Sequence, residues 1–512
     1  MRSFFSQKLA ALARVDSTQS FGIDPRSLAL FRIALALVLL SDLYLRIANL
    51  GAFYTDQGVL PRVAQIELFN GLPRLVSFHM MNGTWSIIAI LFAIEVAAAL
   101  ALLVGYRTGL ATFVSWILLV SLHNRNPMVL QGGDALMRLL LFWALFLPLN
   151  ARASLDRWLA PPDAAPEKYP NAPYLSMGTF AVLLQICFVY WFTWALKSDA
   201  SWRVDGTAVG YALSIDQMNR PLGRWLLHYP DAMRVLTFVT LELERFGPLV
   251  ALVPLWRPRL LMVLVFTGFH WTLGLTLTLG IFTWIAPTAW LLFVPTGAWD
   301  WLAAQPLARR FRPRLERLRD RVVALCRRVK LRVPAPRLVS WRVSLWRELS
   351  AAFFLFYIFA WNFRSLDFNR YQPYFPANYN WIGDTLRLDQ VWAMFAPFPL
   401  KEDGWMMLPA RLADGQKVDL LTGGKPVVWS KPVNLSRTFR DAQWQKYLLN
   451  LWSLDNAPHR GYYISYMVNR WNENHAPAQK VMSAQLIYQQ QNNLEGLRKD
   501  KVKTVVLWNA KY

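Results

Sequence analysis

The sequence predicts an all-α polytopic membrane bundle of eight or nine transmembrane helices, followed by a small C-terminal extracytoplasmic α+β domain. Of its 512 residues, 55% are hydrophobic and 14% aromatic, and the mean hydropathy is positive at +0.23. Apolar stretches of about 17–25 residues recur, and each is long enough to span the roughly 30 Å hydrocarbon core of a bilayer. A strongly basic stretch between two of them is typical of a cytoplasmic loop.

The positive charges predict which ends of the spans face the cytoplasm. If the basic stretch before the ninth span is cytoplasmic, the eight earlier spans place the N-terminus there too. Arg107 and the "WRPR" stretch at 256–259 then also fall inside, as the positive-inside rule expects. The nine predicted spans are 27–49, 84–104, 107–123, 135–150, 178–197, 235–256, 259–279, 281–298 and 346–363.

The segments outside the main bundle follow from the same reasoning. Segment 1–26 lacks the continuous apolar run of a cleaved signal peptide, so we expect it to remain on the cytoplasmic side. Segment 301–345 is a basic cytoplasmic linker, because 309–342 holds 13 basic and 2 acidic residues. The net charge of +23 is therefore interpreted as a topology signal, and the basic linker can also contact anionic lipid. We expect no nucleic-acid partner.

Residues 366–512 predict the extracytoplasmic α+β domain. "WMMLPARLADGQKVDLL" and "GGKPVVWS" contain short strand-like runs between Gly and Asp turns, and "QKVMSAQLIYQQQ" and "KTVVLWN" also favour strands. "WQKYLLNLWS" and "HRGYYISYMVNRW" have the apolar spacing of helices. The loop 198–234 is too polar to span but has an amphipathic helical pattern, so we expect it to lie at the interface or fold back over the bundle.

Ionisable residues inside the predicted spans are candidate site residues, because charges in a membrane are costly and tend to face the bundle interior. Glu95 has no local partner, and we expect Arg32 from the first span to meet it. Other charges are spaced to neutralise each other on one helix face, which favours a structural role. These pairs are Asp42/Arg46, Asp134/Arg138 and Glu242/Arg245.

Lys197 ends the aromatic stretch "YWFTWALK" and has two interpretations. A lysine at a helix end often reaches into the headgroups, where it serves no chemistry. Trp194 and Trp202 are close in sequence, however, and a dry aromatic pocket would favour a neutral amine that can act as a base. His270 has a similar pair of interpretations, since a single histidine on an apolar helix is more often a structural hydrogen-bonding group than a catalyst.

No other motif predicts chemistry. The sequence lacks GxxxxGK[ST], GxSxG, HExxH and CxxC, so it does not support a hydrolase or an ATPase. Its two cysteines, Cys187 and Cys326, predict no disulfide framework. The six histidines do not have metal-ligand spacing, and we expect no metal.

Four stretches in order resemble the HTTM (horizontally transferred transmembrane) family, which includes vitamin K-dependent γ-glutamyl carboxylase. They are "DPRSLALFRIALALVLLSDLYLR" from Asp24, "GYRTG" at 105–109, the set Lys197, Trp202 and Gly206, and "FHWTLGLTLTLGIF" at 269–282. The resemblance covers about residues 22–300, so the HTTM-like transmembrane domain is 27–300. "WAMFAPFPLKEDGW" at 392–405 is similar to a motif of bacterial relatives, and we expect a bacterial inner-membrane protein.

The resemblance implies a carboxylase-like enzyme that uses a lysine base on a reduced quinone. Lys197 would be the base, and His270 would support the quinol pocket. The carboxylase has a second histidine where Gly133 stands here, and its luminal portion is far larger, so its substrate is not carried over. Membrane lipid and a secreted peptide are the expected partners. The residues expected to line the cofactor site are Trp194, Trp202, Asp134, Arg138 and Arg32.

A non-enzymatic alternative remains open at this stage. The bundle could instead be a membrane scaffold or an assembly factor for a secreted peptide or lipid, which the missing histidine favours. A transporter is less well supported, because the sequence shows no paired Gly/Pro-broken helices in two corresponding halves.

Overall fold

The computed structural model describes residues 17–68, 77–160, 172–329, 344–494, 496 and 498–512. Most of the predicted N-terminal segment and the second half of the basic linker lie outside the described residues. Within them the chain is mostly helical, with one sheet near the C-terminus. Its longer helices are α1 (Pro25–Ile47), α2 (Trp85–Val104), α3 (Thr108–Arg125), α4 (Gly132–Ala144), α5 (Met177–Leu196), α6 (Pro230–Leu252), α7 (Trp256–Thr276), α8 (Phe282–Trp290), α9 (Pro306–Arg328), α10 (Leu345–Leu366), α11 (Ala442–Trp452) and α12 (His459–Glu473).

Five helices of the described chain are long and apolar enough to cross a membrane: α1, α2, α5, α7 and α10. This supports an integral membrane protein. The other four predicted spans correspond to α3, α4, α6 and α8, which are shorter or more polar. For example, α4 has only 13 residues, and α6 carries Glu242, Glu244 and Arg245. The count of eight or nine spans therefore stays a prediction.

Local sequence signals explain where the first helices begin and end. The Asp24 side chain accepts a hydrogen bond from the backbone N–H of Arg26 at 2.8 Å, and Pro25 occupies the first turn of α1. At the end of α2, Gly105 has a φ of 69°, the left-handed conformation that glycine adopts readily. Its amide bonds back to the last turn of the helix, so α2 stops cleanly before Arg107.

Helix α4 occupies the centre of the bundle. It packs against α3, α5 and α8, and nearly all of its side chains are buried. Around it, α1 packs on α2 and α8, while α5 packs on α6 and α10. Because α4 is surrounded by protein, its charged residues meet other side chains rather than lipid.

The basic linker begins as helix α9, which has no buried residue. Its exposed apolar side chains recur at helical spacing on one face: Leu307, Phe311, Leu315, Leu318 and Leu325. The rest of the surface is dominated by arginines. This amphipathic pattern is typical of a helix that lies on a membrane surface.

The sheet contains five antiparallel strands, β1 (Gly404–Met407), β2 (Pro409–Leu412), β3 (Lys417–Asp419), β4 (Val481–Gln490) and β5 (Lys503–Lys511). Strand β4 is central: β5 pairs along one edge, and β1 and β2 pair with its two halves on the other. The strands predicted in "WMMLPARLADGQKVDLL", "QKVMSAQLIYQQQ" and "KTVVLWN" and both predicted helices are confirmed. The strand expected in "GGKPVVWS" is wrong, because Gly423 and Gly424 have positive φ and only Lys425 forms a bridge, to Asp419.

This C-terminal unit rests on one end of the bundle. Asn450 Nδ2 donates to the Met128 carbonyl just after α3 at 2.7 Å, and Asn49 Nδ2, just after α1, donates to Asp441 at 2.7 Å. The segment between α5 and α6 forms the short helices Ala200–Arg203, Ala208–Leu213 and Pro221–Leu226, so the predicted helical fold-back of 198–234 is confirmed.

Candidate functional site

Lys197 is buried at the end of α5 and does not reach the headgroups. Its side chain is only about 4% exposed, and Nζ donates to both carboxylate oxygens of Glu244 on α6, at 2.7 and 2.8 Å. The ammonium also lies 4.1 Å from the centre of the Trp202 ring, within cation–π distance. The snorkelling interpretation is therefore wrong, because the amine is buried beside an aromatic ring and a carboxylate.

The backbone around Lys197 is held from two sides. Arg203 Nε donates to the Lys197 carbonyl at 2.7 Å and its Nη2 to the Trp194 carbonyl at 2.6 Å, which satisfies acceptors left free at the end of α5. Trp202 Nε1 donates to the carbonyl of Phe395 at 2.9 Å. These bonds fix the rim of the pocket, so the amine position is set by the fold.

One buried hydrogen-bonding group three residues before Lys197, Trp194 Nε1, has no partner among the described residues. The Trp194 ring itself lies between the guanidinium groups of Arg203 and Arg245, at 4.6 and 5.0 Å. Buried polar groups are normally paired, so orphaned ones call for an explanation.

His270 lies in an aromatic cluster on the same face of α5. Its Nε2 is 2.8 Å from the Tyr190 hydroxyl, which also accepts a hydrogen bond from Trp290 Nε1 at 2.7 Å. Tyr190 precedes Lys197 by seven residues, or two helical turns, which is roughly 10 Å along α5. His270 is therefore near the lysine but not in contact with it, and its Nδ1 has no partner in the described chain.

Asp134 belongs to a second buried cluster, at the start of α4. It pairs with Arg46 of α1, which also donates to Asp42 at 2.6 Å and to the Tyr54 hydroxyl at 2.8 Å. The predicted Asp42/Arg46 pair is thus confirmed. The predicted Asp134/Arg138 pair is wrong, because Arg46 takes the Asp134 carboxylate.

His123 also belongs to this cluster, although sequence reasoning missed it. His123 is fully buried on α3, with Nε2 3.5 Å from Asp134 Oδ1 and no hydrogen bond to either ring nitrogen in the described structure. Lys446 of α11 lies on the other side of Asp134, and burial lowers its pKa while the Asp134 charge partly opposes this. The only sequence signal was a histidine near the end of a predicted span.

A segment after α10, which we call the strap (residues 387–397), connects the two clusters. Arg138 Nε donates to the Arg387 carbonyl at 2.8 Å, and its Nη2 bonds the Asp389 carbonyl at 2.6 Å. Further along, the buried Gln390 side chain bonds Gln185 of α5 at 2.8 Å. The strap ends near Lys197, where Phe395 accepts the bond from Trp202. The resemblance motif at 392–405 thus begins in this strap.

Arg32 is not brought to either cluster. It donates to the carbonyls of Leu149 and Ala153 at 3.0 and 2.6 Å and lies beside Gly105, at the opposite end of the bundle from Lys197. The expected Arg32–Glu95 pair is therefore wrong. Both carboxylate oxygens of the fully buried Glu95 lack a hydrogen-bond partner in the described structure.

Gly133 lies where α4 meets α8, and the structure leaves no room there for a side chain. A Cβ atom at this position would be 2.7 Å from the Phe282 backbone nitrogen and 2.8 Å from an Ile281 side-chain carbon. Since real Cβ atoms do not approach this closely, a histidine would require α4 and α8 to separate.

The comparisons with known proteins agree with this architecture. A model of the HTTM domain matches residues 22–301, which is more than half of the 512-residue chain. The chain belongs to the HTTM family. The matched range agrees with the extent predicted from the four sequence stretches, and γ-glutamyl carboxylase is the known context of the family. The curated proteins and the solved structures gave no significant match.

The HTTM match ends before α9, so the strap and the C-terminal unit lie outside it. The Lys197–Glu244 pair and His270 fall within the matched residues. Among the described residues, no group of three or more His, Cys, Asp and Glu side chains is arranged to hold a metal ion.

Proposed function

We propose that this HTTM protein is a membrane-embedded enzyme that removes a proton from a weakly acidic lipid, with Lys197 and Glu244 acting together as the base. The observation that carries this proposal is the lysine amine held at 2.7 and 2.8 Å from a buried carboxylate beneath a tryptophan ring. A surface lysine would not need this pocket. The reduced quinone suggested by the family is the lipid class we favour.

The pair can take up one proton without creating an isolated charge. Lys197 passes a proton to Glu244 along its short hydrogen bond, which leaves a neutral amine beside a carboxylic acid. The amine then accepts the proton of the lipid hydroxyl. The pair ends as ammonium and carboxylic acid with one net positive charge, which balances the negative charge now on the lipid oxygen.

The residues next to Lys197 fit a ligand of this class. A reduced quinone, when bound, would supply an acidic hydroxyl on a flat ring. The Trp202 ring offers an aromatic face, and Trp194 Nε1 is a buried group without a partner in the described chain. Asp134 and Arg138 stay predicted lining residues, although Arg46 and the strap occupy their hydrogen bonds. His270 would act through Tyr190 as a positioning residue.

We propose that the Lys197 end of the bundle is extracytoplasmic and that the membrane is a bacterial inner membrane. The C-terminal unit contacts the chain just after α1 and α3, whereas Thr296–Ala304, which precedes α9, contacts the beginnings of α1 and α7 through Asp300 and Gly297. The basic helix therefore follows from the opposite end of the bundle, as the positive-inside rule requires if that end is cytoplasmic.

The test is native mass spectrometry with lipid analysis of the purified protein and its Lys197→Ala and Glu244→Gln variants. Glu242→Gln is the matched control, because Glu242 lies two residues before Glu244 but its side chain is 52% exposed. We expect a quinone to co-purify with the wild type and the control. A smaller amount of quinone should co-purify with the Lys197 variant. Oxygen-dependent carboxylation of glutamate peptides is then assayed in the same preparations.

A second function is favoured by a different observation. Trp202 and the strap close over Lys197, and a covered ion pair can simply hold α5 to α6. In that case the protein is a scaffold or assembly factor for a secreted peptide or lipid. Equal quinone content in all variants, with no carboxylation by any of them, would support this second function.

A further inference from the structure

A cleft separates the C-terminal unit from the membrane bundle, away from both buried clusters. Its volume is about 340 Å³, within the range of small-ligand sites. The floor is formed by Ala48 and Gly51, just after α1, and nothing lies within 4 Å of the position that a Cβ of Gly51 would occupy. Trp85, the first residue of α2, forms one wall.

The opposite wall carries an excess of positive charge. Arg440 and Arg470 of the C-terminal unit both line the cleft, together with one carboxylate, Glu473. None of the three forms an ion pair with another described residue, although Arg470 Nη1 bonds the Tyr466 hydroxyl at 3.0 Å and Arg440 Nη2 bonds the Ala48 carbonyl at 3.3 Å. One net positive charge is left for an anion, and two guanidinium groups favour a phosphate.

The cleft opens onto the apolar surface of the bundle. Tyr44 and Ile47 in the last turn of α1 are exposed to 76% and 48%, and Trp85 at the start of α2 is exposed to 63%. Tryptophan and tyrosine at helix ends are typical of the membrane–water boundary. Because Tyr44 and Trp85 have this position at the ends of α1 and α2, we expect the two arginines to lie at headgroup depth, beside an apolar surface.

We infer that this cleft binds the phosphodiester of a membrane phospholipid. Arg440 and Arg470 hold the phosphate, and the acyl chains run along α1 and α2 past Tyr44 and Trp85. The same phosphate chemistry is present in free inorganic phosphate, but only a lipid uses the apolar surface as well. Such a lipid joins the C-terminal unit to the bundle, and this role does not depend on the Lys197–Glu244 site.

The experiment is a titration of the delipidated full-length protein in detergent, followed by native mass spectrometry. The probes are phosphatidylglycerol, diacylglycerol with the same chains, and inorganic phosphate. The test variant is Arg440→Gln/Arg470→Gln, and the matched control is Arg411→Gln/Arg437→Gln, which removes two exposed arginines of the same unit that do not line the cleft. Arg440→Lys/Arg470→Lys retains the charge and shows whether the unit still folds.

We expect one phosphatidylglycerol molecule to bind the wild type and the control. The double Gln variant should bind it roughly tenfold more weakly, or weaker still. Diacylglycerol should not occupy the site, and inorganic phosphate should bind far more weakly than the lipid. Equal binding by the double Gln variant while the Lys variant is folded would overturn the inference. So would equal binding of diacylglycerol, or phosphate binding as tight as that of the lipid.

Discussion

The buried charged residues of this bundle are neutralised by their neighbours to different degrees, and this difference separates the proposed base from the other buried charges. Lys197 has a bidentate carboxylate and an aromatic face, whereas Glu95 has no hydrogen-bond partner in the described structure. An unpaired carboxylate in a dry interior is too costly to keep as an anion, so we expect Glu95 to carry a proton. Lys197 and Glu95 are therefore both buried ionisable residues, but only Lys197 has a charged partner.

Gly133 gives a prediction at the scale of one methyl group. We expect Gly133→Ala to lower the free energy of unfolding by about 1–3 kcal/mol, because the new Cβ would press on the Phe282 backbone. Gly268→Ala is the control, because Gly268 lies in α7 with nothing within 4 Å of the added atom. This substitution should raise the free energy of unfolding by up to about 1 kcal/mol. Thermal unfolding in detergent measures both, and equal shifts would contradict the packing argument.

The residue-level site was only partly predictable from sequence. Spacing on one helix correctly predicted Asp42/Arg46, and the tryptophans near Lys197 correctly indicated an aromatic pocket. The partners that could not be predicted come from distant segments of the chain. Glu244 lies 47 residues after Lys197, and the strap residues that bond Arg138 lie about 250 residues after it. The one available signal for Glu244 was that Glu242 and Arg245 could pair with each other, which would leave Glu244 without a partner on its own helix.

Among the helices, α9 shows how an element can be stable without burial in its own chain. Its leucines and phenylalanine form one exposed stripe, so an aqueous environment would leave that apolar surface without a partner. Its arginines match anionic headgroups, and each basic residue near such a surface contributes about 1 kcal/mol. We expect an anionic membrane surface to supply both kinds of contact.

We expect α9 to be protected from amide exchange in nanodiscs containing phosphatidylglycerol and to exchange faster in phosphatidylcholine nanodiscs. Leu315→Glu/Leu318→Glu should abolish the difference, because charges would replace the apolar stripe. Val433→Glu is the control, since this side chain is 94% exposed in the C-terminal unit. Hydrogen exchange followed by mass spectrometry measures the effect, and equal protection in both lipids would rule out a headgroup contribution.

Elements were predicted well where the apolar pattern was long and poorly where glycines interrupted it. All nine predicted spans contain a helix, yet α4 and α8 are shorter than a membrane crossing because they end inside the packed bundle. The strand expected at 423–430 failed because two adjacent glycines bend the chain. Hydropathy does not distinguish a buried helix from a spanning one when both are apolar.

At the scale of the whole molecule, an ionic cluster fastens the segment between α5 and α6 to the C-terminal unit. Asp216 pairs with Lys431 and, at 3.2 Å, with Lys499, while Asp403 lies 3.5 Å from Lys499. Burial raises the pKa of Asp216, but the bond from Lys431 and the charge of Lys499 outweigh it, so the pKa lies below its ordinary value of 3.8. The contact is therefore fully charged at neutral pH.

The sign of this shift gives the pH dependence. A carboxyl with a depressed pKa in the folded state stabilises above its unfolded pKa and loses that contribution as the pH falls through the folded value. We expect Asp216→Asn to cost about 1 kcal/mol between pH 5 and 8, by a constant amount, and to cost progressively less below about pH 4. Thermal unfolding of both proteins across this range measures it, and a difference that varies between pH 5 and 8 would refute the assignment.

The strap also determines when the bundle can be completed during synthesis. Gln390 and Trp392 are buried, and Gln390 bonds Gln185 of α5 while Trp392 donates to Gln390, yet both residues are synthesised after α10. The earlier helices can therefore insert one by one, but the interior next to Gln185 stays open until the chain beyond α10 folds back onto it. The strap is in this sense a late-arriving part of the bundle core, and nascent chains that stop after α10 would present an unfinished polar surface to their surroundings.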